Sequence, residues 1–113
     1  DMTTLNIVTD VQGPASIVTV SGRVDSDSAP QLDAALAQLA AGGNNKIVLD
    51  LKGVDYISSA GLRAIVKAGQ AAQSSGGEFR LAAASDAVET VLRTVGMLQM
   101  FKLYTTSGEA ANF

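Results

Sequence analysis

Two adjacent serines, Ser58 and Ser59, stand where a run of apolar residues gives way to a helical pattern. The first residues of a helix have unpaired backbone N–H groups and carry about half a positive charge, so they attract anions such as phosphate. A hydroxyl at this position can therefore carry a phosphoryl group. The alternative is that either serine only caps the helix, by accepting a hydrogen bond from a backbone N–H.

Basic residues extend this candidate site along the same helix. Ser59, Arg63 and Lys67 are spaced four apart, which places them on one face if the helix begins this early. We expect that face to be exposed and basic, and we expect Arg63 to hold a phosphate on Ser59 without unfolding the domain. Ala60 adds no bulk that would block the hydroxyls, and Gly61 would let another backbone approach closely.

The composition excludes several kinds of chemistry. The chain has no cysteine and no histidine, so it has no disulfide, thiolate nucleophile, Ser-His-Asp triad or common zinc site. We expect no cofactor, no metal and no enzymatic activity. The net charge of -3 has the wrong sign for direct nucleic-acid binding, because Lys and Arg must displace the counterions of the phosphates.

Membrane insertion is also not expected from the sequence. No apolar stretch approaches the roughly 20 residues of a membrane helix, and the chain does not begin with the basic and then apolar pattern of a secretory signal. These observations predict a cytoplasmic protein.

Acidic residues form two weaker candidates. Asp25 and Asp27 precede the first helix, where turn and capping roles are favoured over a cation loop because the later ligands of such a loop are absent. Asp50 and Asp55 could be read as paired carboxylates for acid–base catalysis, but loop hydrogen bonds and solubility explain them better.

The elements that position these residues follow from the periodicity of the chain. Two β-branched runs, at residues 5–10 and 16–20, flank a Gly-Pro turn and predict a hairpin. The polar stretch 21–25 is expected to end its second strand. Ser28 and Gln31 have the spacing of a capping box, which predicts the start of the first helix.

The remaining elements alternate between strand and helix. The pattern predicts a buried strand at 46–51, a loop to about residue 58, a helix from Ser59 to the glycines at 76–77, a strand at 78–82, a helix capped by Ser85, and a short strand within 101–104. Such alternation implies an α/β fold with a mixed sheet, in a single domain spanning residues 1–113.

Four segments of the chain, in register, resemble the pattern of STAS domains in anti-sigma factor antagonists. They are residues 21–25, 47–51, 57–62 and 95–97, the last followed by Phe101 and Tyr104. The resemblance covers nearly the whole chain, and it implies the STAS fold, a mixed central sheet with an N-terminal hairpin and helices packed on it.

In that family the serine two residues before the glycine accepts the phosphate, and the matching residue here is Ser59. Many members have aspartate just before the acceptor, where this chain has Ser58, so Ser58 is the alternative acceptor. The resemblance implies that the unmodified protein binds an anti-sigma factor that is also a serine kinase, which frees a sigma factor. Phosphorylation by the kinase reverses the binding, and a serine/threonine phosphatase restores it.

The resemblance also implies a partner-binding surface around the phosphorylation site. We assign to it Asp25, Asp27, Ser58, Ser59, Ala60, Gly61, Arg63 and Lys67, in a monomer or weak dimer. The alternative function is a STAS adaptor subunit of a lipid-transport or other multiprotein complex that is not phosphorylated, in which Ser59 would be only a cap. An enzyme acting on a small molecule is the third possibility.

Overall fold

The protein is described by a computed structural model in which residues 5–113 are defined. The elements are strands β1 Asn6–Gln12, β2 Ala15–Val24, β3 Lys46–Ile57, β4 Glu78–Ala82 and β5 Leu103–Tyr104, helices α1 Ala29–Ala41, α2 Ser59–Ser74, α3 Asp86–Thr94 and α4 Ser107–Ala110, and a 3₁₀ turn at Met97–Gln99. The sheet has the order β1-β2-β3-β4-β5. Only β1 is antiparallel to its neighbour, so the predicted α/β fold with a mixed sheet and an N-terminal hairpin is confirmed.

The second strand of the hairpin is longer than predicted. The strand does end within the polar stretch 21–25, but only at Val24, and it pairs with β3 through two register shifts. Gly22 adopts a φ of +115° within this irregular stretch, a conformation that glycine adopts readily. Val20 and Val24 are fully buried, and their burial keeps the strand on the sheet despite the polar residues between them.

The strand that leads to the two serines is also longer than predicted. The loop expected between residues 51 and 58 is instead strand, since β3 runs to Ile57 with Leu51, Val54 and Ile57 all buried. A Cβ on Gly53 would lie 2.4 Å from the Oγ of Ser21, so glycine there allows the two strands to approach. The spacing of three between the buried residues hides this strand from a search for strict alternation.

The predicted capping box of α1 does not form. Ser28 precedes α1 but has helical dihedral angles and makes no side-chain cap. Its Oγ instead donates to the carbonyl of Arg23 at 2.7 Å and accepts from the N–H of Asp25 at 3.0 Å. The Oε1 of Gln31 accepts from the N–H of Leu5 at 3.0 Å. Backbone groups of the preceding turn therefore occupy the hydroxyl of Ser28, and a distant partner, Leu5, occupies Gln31.

Helix α2 rests on the core along one stripe of buried residues that includes Ile65 and Gly69. Leu62 and Val66 are partly buried and pack against the same core. A Cβ on Gly69 would lie 2.2 Å from the Cζ of Phe101, so glycine there lets the aromatic ring lie against the helix. Ala64, Ala68 and Ala71 of α2 line the clefts beside α1.

The C-terminal third agrees with the prediction except at its end. β4 has the predicted bounds, the Oγ of Ser85 caps α3 by accepting from the N–H of Val88 at 3.2 Å, and β5 lies within residues 101–104. Helix α4 was not predicted, because four residues are too few for a periodic pattern.

The sheet is covered on both faces. Side chains of α1, α2 and α3 join the main core on one face, while Ala110 and Ala111 cover a smaller cluster around Ile17 and Val48 on the other. No helix within residues 5–113 is long and apolar enough to cross a membrane.

Candidate functional site

Ser58 is the single residue that joins β3 to α2. Its backbone is extended, and its Oγ accepts from the N–H of Gly61 at 3.3 Å, which makes it the N-cap of α2. Its own N–H donates to the carbonyl of Val24 at 2.8 Å. This bond ties the start of α2 to the end of β2, and it brings the segment after β2 next to the two serines.

Ser59 is the first residue of α2 and is exposed to solvent. Its hydroxyl makes no hydrogen bond with any other residue of the described part of the chain. Because α2 is 16 residues long, its first turn carries the positive end of a substantial helix dipole. A free hydroxyl at such a place can both reach another protein's active site and carry an anionic group.

Ala60 and Gly61 follow the serines but differ in their accessibility. Ala60 is partly buried and lines a cleft of about 310 Å³ between the starts of α1 and α2. Gly61 is buried, and a Cβ there would lie 2.6 Å from the Cγ1 of Val24 and 2.9 Å from the Cγ1 of Ile57. The close approach that Gly61 permits is therefore one within the chain, since it lets the first turn of α2 rest on the ends of β2 and β3.

Arg63 and Lys67 are exposed, and both line a groove that begins at Ser59. The Nζ of Lys67 lies 3.4 Å from a carboxylate oxygen of Asp33 on α1. Arg63 has no ion pair with any residue between 5 and 113. One helical turn after Ser59, the guanidinium group of Arg63 is thus free to meet an added anion.

Asp25 and Asp27 lie in the segment between β2 and α1. One carboxylate oxygen of Asp25 accepts from the N–H groups of Ser28 and Asp27, both at 3.0 Å, and the other lies 3.5 Å from the Nε of Arg23. The bond from the backbone N–H of Ser28 is the main reason that the pKa of Asp25 is lowered. Asp25 is therefore occupied within its own turn, whereas the exposed side chain of Asp27 faces solvent.

Asp50 and Asp55 do not form a catalytic pair. The buried Asp50 accepts from the N–H of Lys52 at 2.9 Å, and Asp55 is exposed. They are five residue steps apart along the strand, or roughly 16 Å, which is too far for two carboxylates to act on one bond. Within residues 5–113, no group of three or more acidic side chains could hold a metal ion.

The sequence did not single out the groove that adjoins Ser59. We call it the α2 groove; it encloses about 590 Å³ and is lined by Ser59, Leu62, Arg63, Val66, Lys67, Gln70, Val95, Met97 and Met100. The apolar residues at 97–101 differ in burial: Met97 and Phe101 are buried, while Met100 is 45% exposed. Helical spacing could not have separated them, because the segment begins with a 3₁₀ turn at Met97–Gln99 rather than with a regular helix.

Tyr56 and Arg23 form a second feature that sequence reasoning missed. Tyr56 lies on β3 just before Ser58 and is 41% exposed, and the guanidinium group of Arg23 lies 3.8 Å from the centre of its ring. The available signal was an exposed aromatic residue near the end of a buried strand. This cation–π pair flanks the start of α2 on the side of β2.

Comparisons with known proteins identify the family. The STAS domain family matches residues 6–110. BtrV of Bordetella bronchiseptica, provisionally named an anti-sigma factor antagonist, is 38% identical over 95 residues, which cover 84% of this chain and 81% of BtrV.

Solved structures agree with this match. An anti-sigma factor antagonist from Mycobacterium paratuberculosis has a TM-score of 0.87 at 26% identity, covering 96% of this chain and 92% of that one. Bacillus SpoIIAA in its phosphorylated form has a TM-score of 0.73 at 16% identity, covering 93% and 96%, which shows a shared fold. The chain therefore belongs to the STAS domain family, among relatives named as anti-sigma factor antagonists.

Proposed function

We propose that this chain is an anti-sigma factor antagonist that works by partner switching, with Ser59 as the phosphate acceptor. The unmodified protein binds an anti-sigma factor that is also a serine kinase, and this binding frees a sigma factor. Phosphorylation of Ser59 by that kinase ends the binding, and a serine/threonine phosphatase restores the active form. The observation that carries the proposal is the exposed hydroxyl of Ser59 at the positive end of α2, which makes no hydrogen bond within residues 5–113.

The phosphoryl transfer itself requires nothing from this chain except the hydroxyl. The Oγ of Ser59 forms a bond to the γ-phosphorus of the kinase's ATP, the bond to the bridging oxygen of ADP breaks, and ADP leaves with that electron pair. A base of the kinase takes the hydroxyl proton. In the reverse direction, the phosphatase hydrolyses the ester with water and releases inorganic phosphate. The chain contributes a side chain that a kinase can reach.

Ser58 is the weaker acceptor candidate. Its hydroxyl already accepts from the N–H of Gly61, and its side chain is partly buried. A kinase would have to withdraw this cap before it could reach the oxygen, at a cost of about 1 kcal/mol. Ser59 has no such bond to lose.

We assign the partner surface to the two segments that the bond between Ser58 and Val24 holds together. It comprises Asp25, Asp27, Ser58, Ser59, Ala60, Gly61, Arg63 and Lys67. Asp27 is the acidic residue best able to meet a basic group of the kinase, because the carboxylate of Asp25 is occupied by backbone N–H groups. The buried Gly61 supports the surface from beneath. We propose that residues 1–113 act as one domain in the cytoplasm, as a monomer or weak dimer.

The test is phosphorylation by purified anti-sigma factor kinases of the source organism, with intact-mass measurement and peptide mapping. We expect one phosphate, on Ser59, and release of the kinase. Ser59→Ala should stay bound when ATP is present, while the matched variant Ser58→Ala should still be phosphorylated and released. A phosphate on neither serine, with binding indifferent to ATP, would exclude the switch and favour the adaptor function.

A further inference from the structure

We propose that the α2 groove binds a segment of the anti-sigma factor that carries apolar side chains next to carboxylates, and that a phosphate on Ser59 releases this segment by occupying Arg63. The inference rests on the proposed function, because it names the chemistry of the partner at the same site. Its basis is a groove with an apolar wall, a cationic wall and the acceptor serine at one end.

The apolar wall of the groove, formed by Leu62, Val66, Val95, Met97 and Met100, includes exposed hydrophobic side chains. Val95 is 52% exposed and Met100 is 45% exposed, and both line the groove together with the partly buried Leu62 and Val66. Exposed apolar side chains that share one concave surface are typical of binding sites, whereas isolated ones are common on any protein. Methionine adapts its shape to a partner, which suits it to this position.

The charges of the groove identify the chemistry of the segment. Among residues 5–113, Arg63 and Lys67 are the only charged residues that line it, and no aspartate or glutamate of that range does, although the chain as a whole has a net charge of -3. Arg63 is unpaired within the described residues. The pair of Lys67 with Asp33 is exposed, and exposed pairs contribute at most about 1 kcal/mol, so Lys67 can exchange its partner. Carboxylates next to apolar side chains complement this surface.

The position of Ser59 connects the groove to the switch. Ser59 lines the end of the groove and stands one helical turn before Arg63. A phosphate there adds a charge of about -1.5 to -2 and three strong acceptor oxygens. The phosphate forms an ion pair with the guanidinium group of Arg63, and it repels the carboxylates of the partner segment. Both effects weaken binding without moving the backbone.

The experiment measures the affinity of each variant for the ADP-loaded kinase, because phosphorylation cannot occur in that complex. We expect Val95→Ser and Met100→Ser each to weaken binding about ten-fold or more, the usual effect of a central interface residue. Arg63→Glu should weaken it further, and Arg63→Gln should reduce its sensitivity to salt. The controls are Val11→Ser, an exposed apolar residue on β1, and Lys46→Gln, an exposed cation on β3; neither should change the affinity.

A double-mutant cycle tests the release mechanism. Ser59→Glu should weaken binding in the wild-type background and have a clearly smaller effect in the Arg63→Gln background, because the cation that it competes for is gone. Thermal unfolding of each variant confirms its fold, and Met100→Gln replaces Met100→Ser if the latter unfolds.

The possible failures are distinguishable. If the Val95 and Met100 variants bind the kinase with wild-type affinity, the α2 groove does not bind the partner, and this inference is overturned. The proposed function would still stand. An Arg63→Glu variant that binds as well as wild type shows that the segment is not acidic, which also overturns the inference. A wild-type protein that binds none of the kinases overturns the proposed function and, with it, this inference.

Discussion

Ser28 and Ser59 both stand at the start of a helix that follows a strand of the same sheet, yet their hydroxyls differ in burial and in hydrogen bonding. The hydroxyl of Ser28 is fully buried, donates to the carbonyl of Arg23 and accepts from the N–H of Asp25. The hydroxyl of Ser59 is exposed and makes no bond within the described part of the chain. One serine serves the structure, and the other is available for chemistry.

The lengths of the two connections explain the difference. Residues 25–28 separate β2 from α1, and this turn folds back so that its backbone groups enclose the hydroxyl of Ser28. Only Ser58 separates β3 from α2, and it takes the capping position itself. Ser59, the residue after it, is therefore not needed as a cap, and its hydroxyl makes no hydrogen bond within residues 5–113. Ser59 keeps an exposed hydroxyl at the start of a helix because the neighbouring Ser58 caps that helix instead.

The largest effect should come from placing a carboxylate at each serine. Ser28→Asp would bury a charge and remove the donor to the carbonyl of Arg23, and we expect it to lower the free energy of unfolding by about 4 kcal/mol or more. Ser59→Asp places the same charge at the exposed positive end of α2, so the change should stay within about 0.5 kcal/mol. Urea denaturation measures both. Similar losses for the two variants would remove the distinction between the sites.

Removing the hydroxyl of Ser28 should have the next largest effect. Ser28→Ala leaves the carbonyl of Arg23 and the N–H of Asp25 without the buried hydroxyl that bonds them, and we expect a loss of about 1–3 kcal/mol. Ser26→Ala is the matched control, because Ser26 lies in the same turn but is exposed. Equal midpoints of denaturation for the two variants would show that the bonds of Ser28 contribute nothing to stability.

A smaller effect should separate the two neighbouring serines. Ser58→Ala removes the N-cap of α2, and we expect it to cost about 1 kcal/mol of stability. Ser59→Ala removes no hydrogen bond, so its unfolding free energy should lie within about 0.5 kcal/mol of wild type. Amide hydrogen exchange in the first turn of α2 should accelerate only in the Ser58 variant. Faster exchange in the Ser59 variant would indicate that Ser59 shares the capping role.

The smallest effect should come from the pH dependence of the turn that encloses Ser28. Hydrogen bonds from the backbone N–H groups of Ser28 and Asp27 lower the pKa of Asp25 below its usual 3.8. A carboxyl group with a lowered folded pKa stabilises the protein above its unfolded pKa, and this contribution disappears as pH falls through the folded value. Asp25→Asn should therefore lower the slope of stability against pH below about pH 4. An unchanged slope would contradict the role of Asp25, and Asp27→Asn is the control.

Most of the elements could be predicted because their signals are local. The bounds of β4 and the cap of α3 by Ser85 follow from short apolar runs and from side chains that bond within a few residues. The ends of β2 and β3 could not be predicted in this way, because register shifts between the two strands break the alternation. The capping box at Ser28 failed for a related reason, since its hydroxyl bonds backward to Arg23 and its Gln31 bonds to Leu5.

The candidate site could likewise be predicted only in part. The sequence alone determined that a serine and two basic residues share the first turns of a helix, because helical spacing depends only on the chain itself. The tertiary structure decided which hydroxyl is exposed, that Lys67 meets Asp33 while Arg63 has no ion pair within residues 5–113, and that Val95 and Met100 line a groove beside Ser59. Exposure, ion pairing and concave shape arise between segments distant in sequence, and only packing brings those segments together.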